Sequence, residues 1–88
     1  MAKYSVLYTE AFYKSLESIP RKDTKRILRK TENLAADPRP HGSQKLAGQE
    51  RYRVRQGNYR IIYKIEDARL IVVVVKVGHR REVYGRGQ

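Results

Sequence analysis

The sequence predicts an α+β fold, in which a helical hairpin packs on one face of a small, mostly antiparallel sheet. Three observations lead to this prediction. A short strand-like pattern begins the chain, two stretches with helical spacing follow it, and three strand-like stretches joined by short turns fill the second half. The element order is therefore β-α-α-β-β-β. A chain of 88 residues fits a single domain, residues 1–88.

The first strand is predicted at residues 3–8. Tyr4, Val6 and Tyr8 occupy every second position there, which is the spacing of one face of a half-buried strand. Thr9 follows directly, and threonine is a favourable residue at the N-cap of a helix. We therefore expect the chain to pass from this strand straight into a helix.

Two helices are predicted before residue 37. Phe12, Leu16 and Ile19 recur at i, i+4 and i+7, as the buried stripe of a short helix does. Residues 21–36 repeat that spacing, and their mostly apolar face consists of Ile27, Leu28, Thr31, Leu34 and Ala35. The opposite face holds Lys22, Lys25, Arg26, Arg29, Lys30 and Glu32. Because charged side chains are mostly exposed, we expect this basic helix face to be solvated.

Three strands are predicted after a linker at residues 37–43, where two prolines and a glycine stop the helix. Residues 45–48 form a short connector, and residues 66–69 make a turn. Residues 70–77 are almost entirely apolar, which favours a central strand covered on both faces. The short connections predict antiparallel pairing of the three strands.

The first two of these strands are predicted to form a β-hairpin over residues 51–65. The first arm alternates between arginine and apolar residues, and the second arm is rich in aromatic and β-branched residues. The turn contains Gly57 and Asn58, residue types that tolerate positive φ. If residues 56–59 form the loop, the register of the whole hairpin is determined.

That register gives the hairpin an arginine face. Arg55 lies opposite Arg60, and Arg53 lies opposite Ile62. One face then carries Arg51, Arg53, Arg55 and Arg60, while the other carries Tyr52, Tyr59 and Tyr63, which we expect to pack against the helices. Like charges opposed across a strand pair cost stability, and the planar fork of arginine suits phosphate. The arginine face is therefore predicted to be open and to bind an anion.

The composition points to a polyanionic partner. The chain has 20 Lys+Arg and 9 Asp+Glu, a formal charge of +11, which favours nucleic acid first, an acidic protein second and an anionic membrane third. No apolar run approaches the roughly 20 residues of a membrane span. No signal-peptide pattern begins the chain, so we expect a cytoplasmic protein. With no Cys and two His, we expect neither a metal nor another cofactor.

Three motifs carry a resemblance to a known family. Lys45-Leu46-Ala47-Gly48, the stretch from Tyr52 to Tyr63 and the stretch from Val77 to Tyr84 closely resemble the RelE branch of the RelE/ParE toxin superfamily. The resemblance extends over nearly the whole chain. It implies a small RelE-like toxin of a type II toxin–antitoxin system. RelE toxins cleave messenger RNA in the ribosomal A site without a metal and leave a 2′,3′-cyclic phosphate.

The resemblance also implies roles for five residues. Arg53 and Arg55 fall where RelE-type toxins have two basic residues, the second of which is thought to be a general base. Arg60 corresponds to an arginine that stabilises charge on the scissile phosphate. Arg80 corresponds to a phosphate-stabilising or leaving-group arginine, and Tyr84 to a tyrosine that stacks on the substrate base. Further RNA contacts are expected from Lys45, Arg51 and Arg81.

The general base is left open by the sequence. Arginine is a poor proton acceptor, because it stays protonated far above neutral pH. His79 is a natural alternative, since histidine titrates near neutrality and this one precedes Arg80. Its other interpretation is a strand-end residue that makes backbone contacts. A third possibility is slow chemistry driven by positioning and charge alone, with help from the ribosome.

The resemblance implies partners as well. We expect a RelB-like antitoxin that forms a hetero-oligomer with the toxin, a monomeric free toxin, and contact with operator DNA only through the antitoxin. Ribosome and mRNA are the expected targets, and no membrane partner is expected. One alternative is a ParE-like toxin that inhibits DNA gyrase. Another is a non-toxic basic RNA-binding homologue, or a toxin that has lost its activity because of Arg55.

Overall fold

The computed structural model describes residues 3–48 and 50–79, and within them the predicted order of elements is confirmed apart from one additional short strand. The elements are β1 (Ser5–Tyr8), α1 (Glu10–Leu16), α2 (Arg21–Asn33), β2 (Gln44–Lys45), β3 (Arg51–Gln56), β4 (Tyr59–Glu66), a 3₁₀ turn (Asp67–Arg69) and β5 (Ile71–His79). The strands form one sheet in the order β1-β5-β4-β3-β2. Only the β1–β5 pair in this described sheet is parallel, so the mostly antiparallel α+β architecture is confirmed.

Three details of the predicted strands are wrong. The segment treated as a connector contains a two-residue edge strand, β2, because Gln44 and Lys45 pair with β3. Such a strand is too short for a period of two to be visible. The last strand does not end before Gly78, since β5 continues to His79 and its final residues pair with β4. It also begins one residue later than expected, because Leu70 has a left-handed φ of 54°.

The β3–β4 hairpin has the predicted register. Arg55 pairs with Arg60, Arg53 pairs with Ile62, and the strands are joined by a two-residue turn. Gly57 at the first turn position has φ 62°, whereas Asn58 has no positive φ. Glycine at the first position is the mark of a type II′ turn, whose twist matches that of the flanking strands.

The core lies between the helices and one face of the sheet. Phe12 of α1 and Ile27 of α2 are fully buried there. The sheet contributes Val54, Ile61, Tyr63, Val72, Val74 and Val77 to the same cluster. Tyr52 and Tyr59 pack against it as partly buried side chains, so the expectation that the hairpin tyrosines face the helices is confirmed.

A β-bulge connects the sheet to the start of α1. The β4–β5 register shifts between Ile62, which pairs with Lys76, and Tyr63, which pairs with Val74, so Val75 is the extra residue. The Val75 carbonyl accepts a hydrogen bond of 2.6 Å from Thr9 Oγ1. Thr9 Oγ1 also caps α1, because it accepts a hydrogen bond of 3.0 Å from the Phe12 amide, as predicted. The bulge also reverses the alternation of β5, because the buried positions are Val74 and then Val77.

Residues 3–48 and 50–79 contain no helix that is long and apolar enough to cross a membrane.

Candidate functional site

Three of the predicted arginines meet in a cavity on the open face of the sheet. The cavity has a volume of about 340 Å³ and is lined by Gly42, Gln44, Arg53, Arg55 and Arg60. The register explains the convergence, since Gln44 pairs with Arg53 and Arg55 pairs with Arg60. Side chains of paired residues project to the same face of a sheet. Strands β2, β3 and β4 therefore each supply part of one strongly cationic cavity.

The cavity has an apolar neighbour on the same face. Ile62 pairs with Arg53 and follows Arg60 by two residues, so it shares their side of the sheet. It is 3% exposed and lies outside the helix-side core cluster. Arg60 is half-buried beside it, and its Nη1 atom is buried. Partial exclusion of water lowers the local dielectric, which strengthens the attraction between an arginine and a phosphate.

Gln44 orients one of the arginines. Its Oε1 atom accepts a hydrogen bond of 3.1 Å from Nε of Arg53 and a second, short one from Nη2 of the same side chain. An amide is neutral, so it directs the guanidinium without cancelling its charge. Sequence reasoning missed Gln44, because its position next to Arg53 depends on the pairing of the short strand β2.

A polar network fastens the linker to the sheet. Arg39 donates to both carboxylate oxygens of Asp67, at 3.2 and 2.9 Å, and its Nε donates to Tyr52 Oη at 3.2 Å. Tyr4 Oη donates to the same carboxylate at 2.7 Å. These hydrogen bonds, that from Arg39 above all, lower the pKa of Asp67 to about 2. In return, the hydrogen bond to Asp67 raises the pKa of Tyr4.

A buried hydrogen bond holds the linker one residue earlier. Tyr63 Oη donates to the Pro38 carbonyl at 2.8 Å, and burial raises the pKa of Tyr63 to about 12. The chain then turns at Gly42, whose φ of 95° is unfavourable for other residues. These hydrogen bonds hold the linker in a position where Gly42 and Gln44 line the arginine cavity. Sequence reasoning did not single out Arg39 or Asp67, which are separated by 28 residues.

The structure does not bring His79 to the arginine cavity. His79 pairs with Tyr59 and makes an edge-to-face ring contact with it at 6.0 Å. Tyr59 in turn donates to Asp23 Oδ2 of α2 at 3.2 Å. Arg60 pairs with Gly78, so the His79 ring lies on the helix side of the sheet, opposite the arginines. This geometry matches the interpretation of His79 as a strand-end residue.

The remaining predicted residues divide into three groups. Arg51 pairs with Lys64 and shares the arginine face, although it does not line the cavity. Lys45 is exposed and pairs with Tyr52, so it projects to the opposite side. Arg80, Arg81 and Tyr84 lie outside the described residues.

The cavity suits a phosphate group whose negative charge increases during a reaction. Three guanidinium groups approach one small volume, and two of them, Arg53 and Arg60, are half-buried. The β-sheet and the Gln44 contact orient donors before a ligand arrives. Such preorganised donors stabilise charge without the cost of reorganising at the moment of reaction.

Comparisons with known proteins agree with this architecture. Residues 6–84 match the family model described as the ParE toxin of the type II toxin–antitoxin system parDE. The chain is 29% identical to Toxin RelG of Mycobacterium tuberculosis, over 94% of this chain and 98% of that protein.

Two solved toxin–antitoxin complexes contain chains of similar structure. One is the RelBE2 complex of Mycobacterium tuberculosis, with a TM-score of 0.82 and 25% identity over 93% of this chain and 97% of that chain. The other is the archaeal RelE–RelB complex of Pyrococcus horikoshii, with a TM-score of 0.79 and 28% identity over 91% and 98%.

Proposed function

The chain belongs to the RelE/ParE superfamily of type II toxin–antitoxin toxins, and from that premise we propose that it is a ribosome-dependent mRNA endonuclease. In this proposal it cleaves mRNA in the ribosomal A site without a metal, by attack of a 2′-hydroxyl on the adjacent phosphate. The attack forms the P–O2′ bond and breaks the P–O5′ bond. The products are a 2′,3′-cyclic phosphate and a 5′-hydroxyl end.

The observation that carries the proposal is the convergence of Arg53, Arg55 and Arg60 on one cavity. In-line attack by the 2′-oxygen places additional negative charge on the non-bridging phosphoryl oxygens. Arg60 stabilises that charge from its half-buried position. Arg53, oriented by Gln44, holds the phosphate in line for attack. Arg80 and Tyr84 complete the site, by family resemblance, as leaving-group arginine and base-stacking tyrosine.

None of the described residues that line the arginine cavity is a good acceptor for the 2′-hydroxyl proton. His79 lies on the helix side of the sheet with Tyr59, which disfavours it as the group that accepts the 2′-hydroxyl proton. Arg55 is exposed at the cavity, and a protonated guanidinium is a poor base. We therefore favour catalysis by positioning and charge stabilisation, with the mRNA aligned by the ribosome. The 2′-hydroxyl proton is released to water, and the leaving 5′-oxygen takes a proton from water.

A RelB-like antitoxin is the proposed partner and inhibitor. The two similar solved structures are complexes of a RelE toxin with a RelB antitoxin. A formal charge of +11 favours an antitoxin with an acidic toxin-binding segment. In this proposal the free toxin is a cytoplasmic monomer, and operator DNA is contacted only through the antitoxin in the hetero-oligomer.

The proposal is tested with purified protein, programmed ribosomes and an mRNA with a defined A-site codon. The wild-type protein should cut only ribosome-bound mRNA and leave 2′,3′-cyclic phosphate ends. Arg60→Ala should slow the cutting by about 100-fold or more, while Lys14→Ala should not, since Lys14 is an exposed residue of α1 outside the cavity. Intact mRNA after incubation with the wild-type protein would contradict the proposal.

A ParE-like inhibitor of DNA gyrase is the second candidate, and the description of the matching family model favours it. The two functions are separated by expressing the protein without an antitoxin. Codon-positioned mRNA 5′ ends support the endonuclease, whereas DNA damage with intact mRNA supports gyrase inhibition. Normal growth with neither effect would support the inactive RNA-binding homologue.

A further inference from the structure

The β-bulge in β5 turns one lysine onto the arginine face of the sheet. Val72 and Val74 are buried on the helix side, so strict alternation would bury Lys76 on that side as well. The extra residue at Val75 reverses the facing, and Lys76 pairs with Ile62 on the open face instead. The side chain of Lys76 is exposed there. Bulges are common beside active sites, where they re-aim a side chain, so Lys76 is a candidate for a functional role.

Lys76 completes a ring of four cations around Ile62. Arg53 and Lys76 pair with Ile62 from the two neighbouring strands, while Arg60 and Lys64 precede and follow it by two residues on β4. Paired residues and residues two apart share a face of a sheet, so all four side chains project to the open side. Long cationic side chains lay their aliphatic stems on apolar surface and keep their charged ends in water. The four stems therefore help to bury Ile62, and their charges lie around it.

The charges of the two lysines are not neutralised by an ion pair among the described residues. In residues 3–48 and 50–79, the ion pairs join Arg39 to Asp67 and Arg69 to Glu66. Like charges on neighbouring strands cost stability, whereas an acidic side chain at position 76 would be attracted by the two arginines of the ring. Since a lysine at this position makes the sheet face less stable, its presence favours the binding of an anion.

The ring has two sides that differ in chemistry. Arg53 and Arg60 also line the arginine cavity, whereas Lys64 and Lys76 do not. Arg53 on β3 and Lys76 on β5 are two strand spacings apart, roughly 10 Å, which places the lysines within reach of the phosphate next to one held in the cavity. The fork of arginine orients a phosphate, while lysine is a flexible point charge that attracts one without fixing its geometry. The lysine side of the ring thus suits a flanking phosphate and not the reacting one.

We propose that Lys76, together with Lys64, binds the phosphate adjacent to the scissile one in single-stranded RNA. This inference rests on the proposed function, in which the arginine cavity holds the scissile phosphate. The second contact makes the RNA cross the sheet from β3 and β4 toward β5. Because a flanking phosphate carries the same charge before and during the reaction, the contact should lower KM and leave kcat unchanged.

The test compares ligands with one phosphate and with two. Binding of a dinucleotide and of a trinucleotide, both with 2′-O-methyl sugars that prevent cleavage, is measured by NMR titration of the purified protein. The wild-type protein should bind the trinucleotide about fivefold more tightly, because an exposed charge pair contributes up to about 1 kcal/mol. Lys76→Met keeps much of the aliphatic stem over Ile62, and should reduce this gain to the statistical advantage of carrying two phosphates. Its affinity for the dinucleotide should equal that of the wild-type protein.

Three further variants serve as controls. Lys76→Arg should retain the trinucleotide gain, since it conserves the charge. Lys14→Met should retain it as well, because Lys14 is an exposed residue of α1 on the other side of the sheet. Lys64→Met repeats the test from the second lysine of the ring and should also reduce the gain. Thermal melting checks that each variant is folded.

The kinetics of cleavage separate this role from the chemical step. With ribosome-bound mRNA, Lys76→Met should raise KM without a change in kcat; a lower kcat with unchanged KM would overturn the assignment. A wild-type trinucleotide gain in both Lys76→Met and Lys64→Met would overturn it too, as would equal weakening of both oligonucleotides or an equal loss in Lys14→Met. If the wild-type protein left mRNA uncut, the proposed endonuclease function would fail, while the oligonucleotide comparison would still show whether Lys76 binds a second phosphate.

Discussion

Gln44→Leu is expected to reduce the rate of RNA cleavage about fivefold. The substitution removes the acceptor of two hydrogen bonds from Arg53, at Nε and Nη2. Hydrogen bonds to a charged group contribute about 1.5–3 kcal/mol. Because Gln44 is exposed, competition from water reduces the combined contribution of the two hydrogen bonds to about 1 kcal/mol. That free energy corresponds to a factor of about five in rate. The loss should affect kcat/KM, since we propose that Arg53 contacts the phosphate before and during the reaction.

Gln44→Glu tests whether the orientation of the Arg53 side chain or its available positive charge matters more for cleavage. A glutamate keeps the acceptor geometry but forms an ion pair with Arg53, so less positive charge is available for the phosphate. We expect this variant to raise KM more than Gln44→Leu does. Gln56→Leu is the matched control, because it makes the same exchange at a position paired with Tyr59, on the face opposite the arginines. The rate of cleavage of ribosome-bound mRNA is measured for all three variants under single-turnover conditions. Wild-type kinetics for both Gln44 variants would refute the assigned role.

Three further predictions concern stability. Tyr63→Phe should lower the free energy of unfolding by about 1–2 kcal/mol in denaturant titration, because it leaves the buried Pro38 carbonyl without its hydrogen bond. Thr9→Ala should cost about 1–2 kcal/mol in the same assay, since Thr9 both caps α1 and donates to the bulge carbonyl of Val75. The hydrogen bond from Arg39 above all holds the pKa of Asp67 at about 2, below its ordinary value of 3.8; the stability that it contributes is therefore complete above pH 3.8 and is lost as the pH falls through about 2. Asp67→Asn should reduce the difference in melting temperature between pH 5 and pH 2, and an unchanged difference would contradict the linkage.

The hairpin was predictable from sequence because two independent constraints agree. Alternation along residues 51–55 sets which side chains share a face, and the Gly57-Asn58 turn sets the loop length. Together they give the observed pairing of Arg55 with Arg60. The core tyrosines follow from the same alternation.

The facing of His79 was not predictable, because it depends on the bulge at Val75. Strict alternation from the buried Val72 and Val74 would place position 79 on the arginine face. The extra residue reverses that parity, so Val77 and His79 face the helices instead. The bulge is stabilised by Thr9, which is 66 residues away in sequence. No local sequence pattern in β5 predicts such a contact.

The parts of the site contributed by Gln44 and Arg39 also escaped sequence reasoning. Gln44 belongs to a strand of two residues, and only its pairing with Arg53 gives it a role. Arg39 is one of many cations in the chain, and its partner Asp67 lies after β4. A contact between distant charged residues leaves no periodic signal, so both residues had to be located in three dimensions.

The most direct test of the arginine cavity is the single-turnover rate at which ribosome-bound mRNA is cut by Arg60→Ala and Arg60→Lys. Removing a preorganised donor to a developing oxyanion costs about 100- to 1,000-fold in rate, so Arg60→Ala should lose about that much activity. Arg60→Lys keeps the charge but not the fork, and should fall between Arg60→Ala and the wild-type protein. Wild-type cleavage by Arg60→Ala, with the fold intact by circular dichroism, would contradict the proposed role of the cavity.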